Sequence, residues 1–338
     1  MKAPFVLILS VACGQAPTAP PAGDGAVPTF DASSDASPDV GVSAADAHAD
    51  ADAGSAAPSP ADPGPYTVTQ STTTVAGWTV VVFDPQTPTN VRAPLVLFKH
   101  GYQLATSNYA TTLERIASHG YVAVGVDTPA SLVGGPTQAQ ERDGVIATLD
   151  WSLSSSAPFA AHLDGTHVAA LGHSRGGKIA VMVAAKDARV GAVLGLDPVN
   201  ACGPNEAYSA DCPDVTSAGF APALAIPAGY LGETADTQGF MPCAPAAQNY
   251  ATIYAASAKA PWAAEWTFSG AAHMTFTDDG GGIYGAFCAK ASGNEATLRE
   301  EARTVAVAFL ERHIRSDTSM DAWLIGTFAP KDAQVTHK

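Results

Sequence analysis

Positive charge is scarce in this 338-residue chain: 17 Lys and Arg stand against 32 Asp and Glu, a formal net charge of -15 at pH 7. No basic patch remains to grip a phosphate backbone, which excludes nucleic acid as a partner. Long apolar runs are lacking too. The N-terminal stretch MKAPFVLILSVA is too short to span a bilayer. Cysteine is sparse, and Cys202, Cys212, Cys243 and Cys288 do not have metal-ligand spacing, so they are read as structural. Aromatic residues nearly vanish from residues 14–64, where Phe30 interrupts a composition of mostly Ala, Pro, Asp, Ser, Gly and Val. Such a segment cannot bury enough apolar surface to offset its backbone entropy, and it reads as a disordered, extended tether.

What is present begins with an export signal. Residues 1–13 carry one Lys, a short apolar run and then Cys13-Gly14, which resembles a lipoprotein signal with Cys13 as the lipidation candidate. An ordinary secretory signal with an incidental cysteine is the alternative. Both imply export, to the cell envelope or beyond, with membrane attachment only through an N-terminal lipid. An oxidising compartment suits the four later cysteines. Of the three possible connectivities, the favoured one joins Cys202 to Cys212 and Cys243 to Cys288.

From residue 65 apolar β-rich runs alternate with helical patterns. Strands are expected at 79–83, 93–99, 121–126, 167–171, 192–196, 223–226 and 263–268; helices are expected at 105–119, 137–153, 175–186 and 295–314. Strands apolar on both faces and separated by helices imply an α/β protein with a mostly parallel central sheet and helices on both faces. Residues 65–316 form this domain, and 317–338 a C-terminal extension. Function is then expected in the loops after the strands' carboxyl ends.

Three of those loops carry chemistry. Gly172-His173-Ser174-Arg175-Gly176 is G-x-S-x-G between a strand and a helix, the context of a nucleophile elbow, where Gly172 and Gly176 leave room for a tight turn. Ser174 needs a base, and in the chain order that accompanies this elbow a carboxylate follows the serine and a histidine follows that. Of the later histidines, His273 lies just after a strand, whereas His313 is in a helix and His337 in the tail. Asp197 ends the strand before Pro198, with Glu233 and Asp236 as rival acids. The third loop, Lys99-His100-Gly101-Tyr102, follows an early strand and offers the Tyr102 amide, beside that of Arg175, to a developing oxyanion. His100 and His173 are read as bracing these loops.

Over roughly residues 93–290 these segments resemble the chlorophyllase family of α/β-hydrolases, related to cutinase-like lipases and polyester hydrolases. The resemblance is carried by Leu97-Phe98-Lys99-His100-Gly101-Tyr102, Ala117-Ser118-His119-Gly120-Tyr121, Gly172-His-Ser-Arg-Gly-Gly-Lys178, Leu196-Asp197-Pro198-Val199, Cys243-Ala244-Pro245 and Ala272-His273-Met274. Ala272 and Thr275 depart from the family pattern. The resemblance implies an α/β-hydrolase fold and a serine carboxylic-ester hydrolase with Ser174, Asp197 and His273 as its triad. Tyr102, Met274, Trp266 and Phe276 are candidate substrate contacts. The expected partner is a small-molecule or lipid-like ester, the expected state a monomer, and no metal or organic cofactor is called for. A polyester hydrolase and a catalytically silent, surface-tethered binding protein are the competing readings.

Overall fold

The computed structural model describes residues 58–129, 135–203, 206–237 and 242–338. The proposed signal, Cys13 and most of the tether therefore lie outside the described residues.

The sheet is built outward from β3 (Ala93–Lys99), every residue of which is buried. Its side chains alternate between two cores, as a strand's period of two requires. Val96 and Phe98 join one apolar cluster, Leu95 and Leu97 the other. α1 (Ala110–Ser118) leads to β4 (Val122–Asp127), which pairs with β3 in parallel. α2 (Gln138–Ser152) then carries the chain back to β5 (Leu163–His173), parallel to β3 on its other side. The chain therefore changes direction across the sheet at β3 and β5. In a parallel sheet this is where a crevice opens beyond the strands' carboxyl ends.

From β5 the sheet grows one way: α3 (Arg175–Lys186), β6 (Val190–Leu196), β7 (Ala228–Glu233), α4 (Tyr250–Ala256) and β8 (Ala263–Phe268), with all pairings parallel. Two antiparallel strands, β1 (Val68–Val75) and β2 (Trp78–Pro85), extend the far edge through β4. The short α5 (Gly282–Gly285), the long α6 (Glu295–His313) and α7 (Asp321–Leu324) precede β9 (Ala333–His337), antiparallel to β8. The order is β1-β2-β4-β3-β5-β6-β7-β8-β9. Residues of α1 and α6 fill one core and residues of α2, α3 and α4 the other, so the sheet is covered on both faces.

Three expectations change. Residues 223–226 are not a strand: Pro222 opens a one-turn 3-10 helix, Ala221–Ala223, and the strand begins only at Ala228, after Pro227. A proline cannot donate to the ladder. The true strand was masked by Gly229 and Gly232, which are required because a β-carbon at either would strike packed side chains, Leu194 at the first and Tyr250 at the second. Residues 317–338 are not an appendage, since β9 closes the sheet's edge. The chain is also docked before residue 64. The Ala61 and Asp62 carbonyls accept from Arg115 and His119, and the Gly64 amide donates to Ser118 Oγ at 2.8 Å.

Candidate active site

β5 runs straight into α3 with Ser174 alone at the bend, and this forces its backbone to φ 55° and ψ -126°. A residue with a β-carbon rarely occupies that region and is held there only by its surroundings. Here the Ser174 amide donates to the Leu196 carbonyl at 3.0 Å, while its own carbonyl accepts from Gly177, Lys178 and Val199. The flanking glycines follow from the same compression. A β-carbon at Gly172 would collide with the Gly176 carbonyl, and one at Gly176 with the carbonyls of Lys99 and His100.

The bend brings three distant residues into line. Ser174 Oγ lies 2.8 Å from His273 Nε2, and His273 Nδ1 lies 2.6 Å from Asp197 Oδ2. His273 opens a 3-10 turn, His273–Phe276, after β8, and Thr275 caps that turn by accepting from the Ala272 amide at 3.0 Å. Asp197 leaves the end of β6 at φ 43°, its amide donating to Leu231 of β7 at 2.8 Å. Asp197 is fully buried, and Ser174 keeps 9% of its surface exposed. Burial opposes a charged His273, but the hydrogen bond and charge of Asp197 outweigh it and raise the imidazole above its ordinary pKa. Burial also raises Asp197, against the opposing pull of His273.

The rival acids do not reach the imidazole by a hydrogen bond. Glu233 Oε2 accepts from the Asp236 amide at 2.8 Å. Asp236 accepts from the amides of Cys243 and Ala289, at 3.0 and 2.9 Å, which ties the Cys243–Cys288 disulfide to the site's edge. The second disulfide joins Cys202 to Cys212. Lys178, three residues into α3 from Arg175, reaches Cys212 Sγ at 3.2 Å and so pins that loop to the elbow helix.

Two buried histidines brace the backbone around Ser174. His173 Nε2 lies 3.0 Å from the His273 carbonyl, so it carries the proton, and its Nδ1 must accept from Tyr109 Oη at 2.7 Å. Tyr109 Oη in turn accepts from the Gly101 amide at 3.2 Å. One chain of hydrogen bonds thus links the loop after β3, the elbow and the histidine turn. Burial keeps His173 well below its ordinary pKa, and therefore neutral as this pattern demands. His100 works on the next peptide. Its Nδ1 donates to the Gly101 carbonyl at 2.8 Å, while Nε2 accepts from the Thr128 amide at 2.9 Å. Because the peptide is planar and trans, fixing that carbonyl aims the Tyr102 N–H the opposite way. Gly101 sits in tight quarters, since a β-carbon there would lie 3.0 Å from His173 Nδ1 and 3.3 Å from Ser174 Cβ and would press both. Behind this loop Lys99 is buried, bonded to the Val126 carbonyl and Thr128, and shares Glu141 with Arg175.

Of the four residues expected to touch substrate, Tyr102 alone is exposed, at 63%, with the Arg175 guanidinium 5.5 Å from its ring centre. Trp266 must be withdrawn. It is completely buried in the core, and its indole N–H donates to the Leu324 carbonyl at 2.8 Å. Phe276 is packed edge-on against Phe268, and Met274 is buried beneath Gly281. Tyr109 escaped the sequence reading because nothing in Thr106-Ser-Asn-Tyr109 distinguishes a bridging phenol from a core aromatic.

Groups close enough to share a cation occur twice among the described residues. One set is Asp236 with Cys243 and Cys288, whose sulfurs are joined in a disulfide; the other is Asp197, Glu233 and His273, where the imidazole is already bonded to Asp197. The Asp278-Asp279 pair is engaged as well: Asp278 accepts from the Thr111 amide and Arg303, and Asp279 from Asn108.

The profile of one family, described as Chlorophyllase, matches residues 59–330. Chlorophyllase-2 of Arabidopsis thaliana is 28% identical over 244 residues, covering 66% of this chain and 74% of its own length. Chlorophyllase-1 of the same plant is 30% identical over 64% of this chain and 71% of its own. A shorter match, 32% over 99 residues, links 29% of the chain to cutinase est1 of Thermobifida alba, covering 32% of that protein. With the sheet order and the elbow already in place, a match over most of the chain identifies it as a member of the chlorophyllase family, an ester hydrolase of the α/β-hydrolase fold.

Proposed function

We propose that the protein is a serine carboxylic-ester hydrolase working through an acyl-enzyme, with Ser174 as nucleophile, His273 as base and Asp197 as the acid that orients it. The observation that carries this reading is the pair of short contacts at His273, 2.8 Å to Ser174 Oγ and 2.6 Å to Asp197 Oδ2, on an elbow whose strained backbone holds the serine at the bend.

The chemistry follows from those contacts. His273 Nε2 takes the Ser174 proton as Oγ attacks the ester carbonyl, and Asp197 steadies the imidazolium. The oxyanion falls to the Tyr102 and Arg175 amides, neither of which donates to another described residue. His273 then returns the proton to the departing alkoxide, and water, deprotonated by the same base, releases the acid. His100 and His173 hold the donors and the imidazole in register without ionising.

The local match to a cutinase favours a second reading in the same class, a hydrolase of polyester chains. Export of the protein is supported by two disulfides, which persist in oxidising compartments. Cys13 is proposed as the lipid attachment point.

Purified protein should hydrolyse short-chain p-nitrophenyl esters and label with a fluorophosphonate, and Ser174→Ala should lose both. Failure of the wild type in both assays would leave a binding protein as the better account. A panel of chlorophyll a, triglycerides and soluble polyester fragments separates the two hydrolase readings.

A further inference from the structure

Behind the His273–Asp197 bond sits a second buried acid that the mechanism above does not use. Asp197 has one oxygen on His273; the other, Oδ1, is buried with no hydrogen-bond partner. Glu233 is in the same condition, with Oε2 on the Asp236 amide and Oε1 buried and unpartnered. The two residues leave adjacent parallel strands, β6 and β7, which are in register at Leu196 and Leu231. A carboxylate oxygen from each, together with a ring nitrogen of His273, lies within 4.8 Å of the others.

Two carboxylates this close in a dry site cannot both ionise. Two unpartnered oxygens, however, are satisfied together by one proton. Resting on the reading of Asp197 as the orienting acid, we propose that Glu233 is a positioning residue: it stays a neutral carboxylic acid whose O–H donates to Asp197 Oδ1. Asp197 then keeps the negative charge, with one oxygen fixed by Glu233 and the other by His273.

The surroundings agree. Burial first, and the Asp197 charge second, push Glu233 up to about 8. The groups that face it are Asp197 from β6, Asp236 from its own loop, His273 from the turn after β8, and Tyr250 from α4. Tyr250 is itself pushed up to about 12 and is bonded to Thr267, so it offers Glu233 no charge. Against these, the Asp236 amide bonded to Oε2 and the His273 charge favour ionisation, and burial with the Asp197 charge outweighs both. Once Glu233 ionises, the donor to Asp197 becomes a second repelling anion.

The test uses the full chain with three substitutions. Glu233→Gln keeps a neutral N–H donor in the same shape, so kcat near pH 7 should stay within about threefold of wild type with KM unchanged. Wild-type kcat should fall above about pH 8, and that alkaline limb should disappear in the variant. Glu233→Leu removes the donor and should lower kcat by about 10- to 100-fold, again sparing KM, by analogy with the loss of groups that orient metal-bound histidines. Independently of turnover, a wild-type minus Glu233→Gln infrared difference spectrum at about pH 6 should contain a protonated-carboxyl stretch that vanishes at about pH 10.

A Glu233→Gln protein as inactive as Asp197→Asn, an alkaline limb that survives the substitution, or a spectrum without that band would each overturn the proposal. If no ester is cleaved even by wild type, the ester-hydrolase reading falls, while the infrared band still decides whether Glu233 holds its proton.

Discussion

Replacing Tyr109 with Phe removes one oxygen atom and leaves the ring packed as before, 4.7 Å from Phe98 and 5.6 Å from His173 between ring centres. Any effect is therefore the hydroxyl's alone. That hydroxyl donates to His173 Nδ1 at 2.7 Å and accepts from the Gly101 amide at 3.2 Å, and the phenol is completely buried. With no water to replace it, a ring nitrogen and a backbone N–H are left unpaired at about 1–3 kcal/mol each, and partial relaxation brings the sum to roughly 2–4 kcal/mol. For a domain of this size a loss of 1 kcal/mol lowers Tm by about 2–4 °C, so a fall on the order of 5–10 °C is expected by scanning calorimetry. Turnover should suffer separately. The lost bonds hold both the peptide preceding the Tyr102 donor and the imidazole beside His273, so kcat should drop about tenfold while KM moves little. A variant as stable and as active as wild type would refute the claim that this hydrogen-bond chain positions the site.

Three further outcomes follow from the same contacts. As the proposed base, His273 must be neutral to act and is held above its ordinary 6.5, so kcat/KM should rise with pH through a midpoint above that value; in Asp197→Asn, about 10⁴-fold slower, the largest opposition to burial is gone and the midpoint of the residual activity should move down. Glu233, raised from 4.5 to about 8, holds a proton in the folded state that the unfolded chain has released. Across that window wild-type stability should decline by roughly 1.4 kcal/mol per pH unit for this group, and Glu233→Gln should gain on wild type in urea melts between about pH 5 and pH 8, whereas parallel curves would contradict it. The disulfides close loops of different size, a separation of 10 residues for Cys202–Cys212 and 45 for Cys243–Cys288. On chain entropy their removal should cost about 3 and about 4 kcal/mol respectively, and losing the second should also lower activity, because the Cys243 amide is held by Asp236 beside the site.

Much of the candidate site's geometry was legible because the chemistry proposed for it demands residue types that sequence displays directly. A serine between Gly172 and Gly176, with an apolar strand before and a helix after, has few other uses, and His273 was reached by elimination among three histidines. The central strands were legible for a related reason: burial on both faces leaves unbroken apolar runs such as residues 93–98 of β3. What stayed hidden depends on packing across the fold. β7 was missed because its glycines answer to Leu194 and Tyr250, residues far away in the chain. Trp266 was misassigned because a large aromatic near a catalytic loop has the same local sequence whether it faces a substrate or the core. Polar β1, with Thr72, Thr73 and Thr74 exposed, lacks the alternation that marks a half-buried strand.

The most direct measurement is the structure of the protein after reaction with a p-nitrophenyl alkylphosphonate, which leaves a tetrahedral adduct resembling the attacked ester. The account predicts phosphorus bonded to Ser174 Oγ, its free oxygen accepting from the Tyr102 and Arg175 amides, and His273 still joined to Asp197. An adduct on another residue, or an oxygen turned away from both amides, would contradict it.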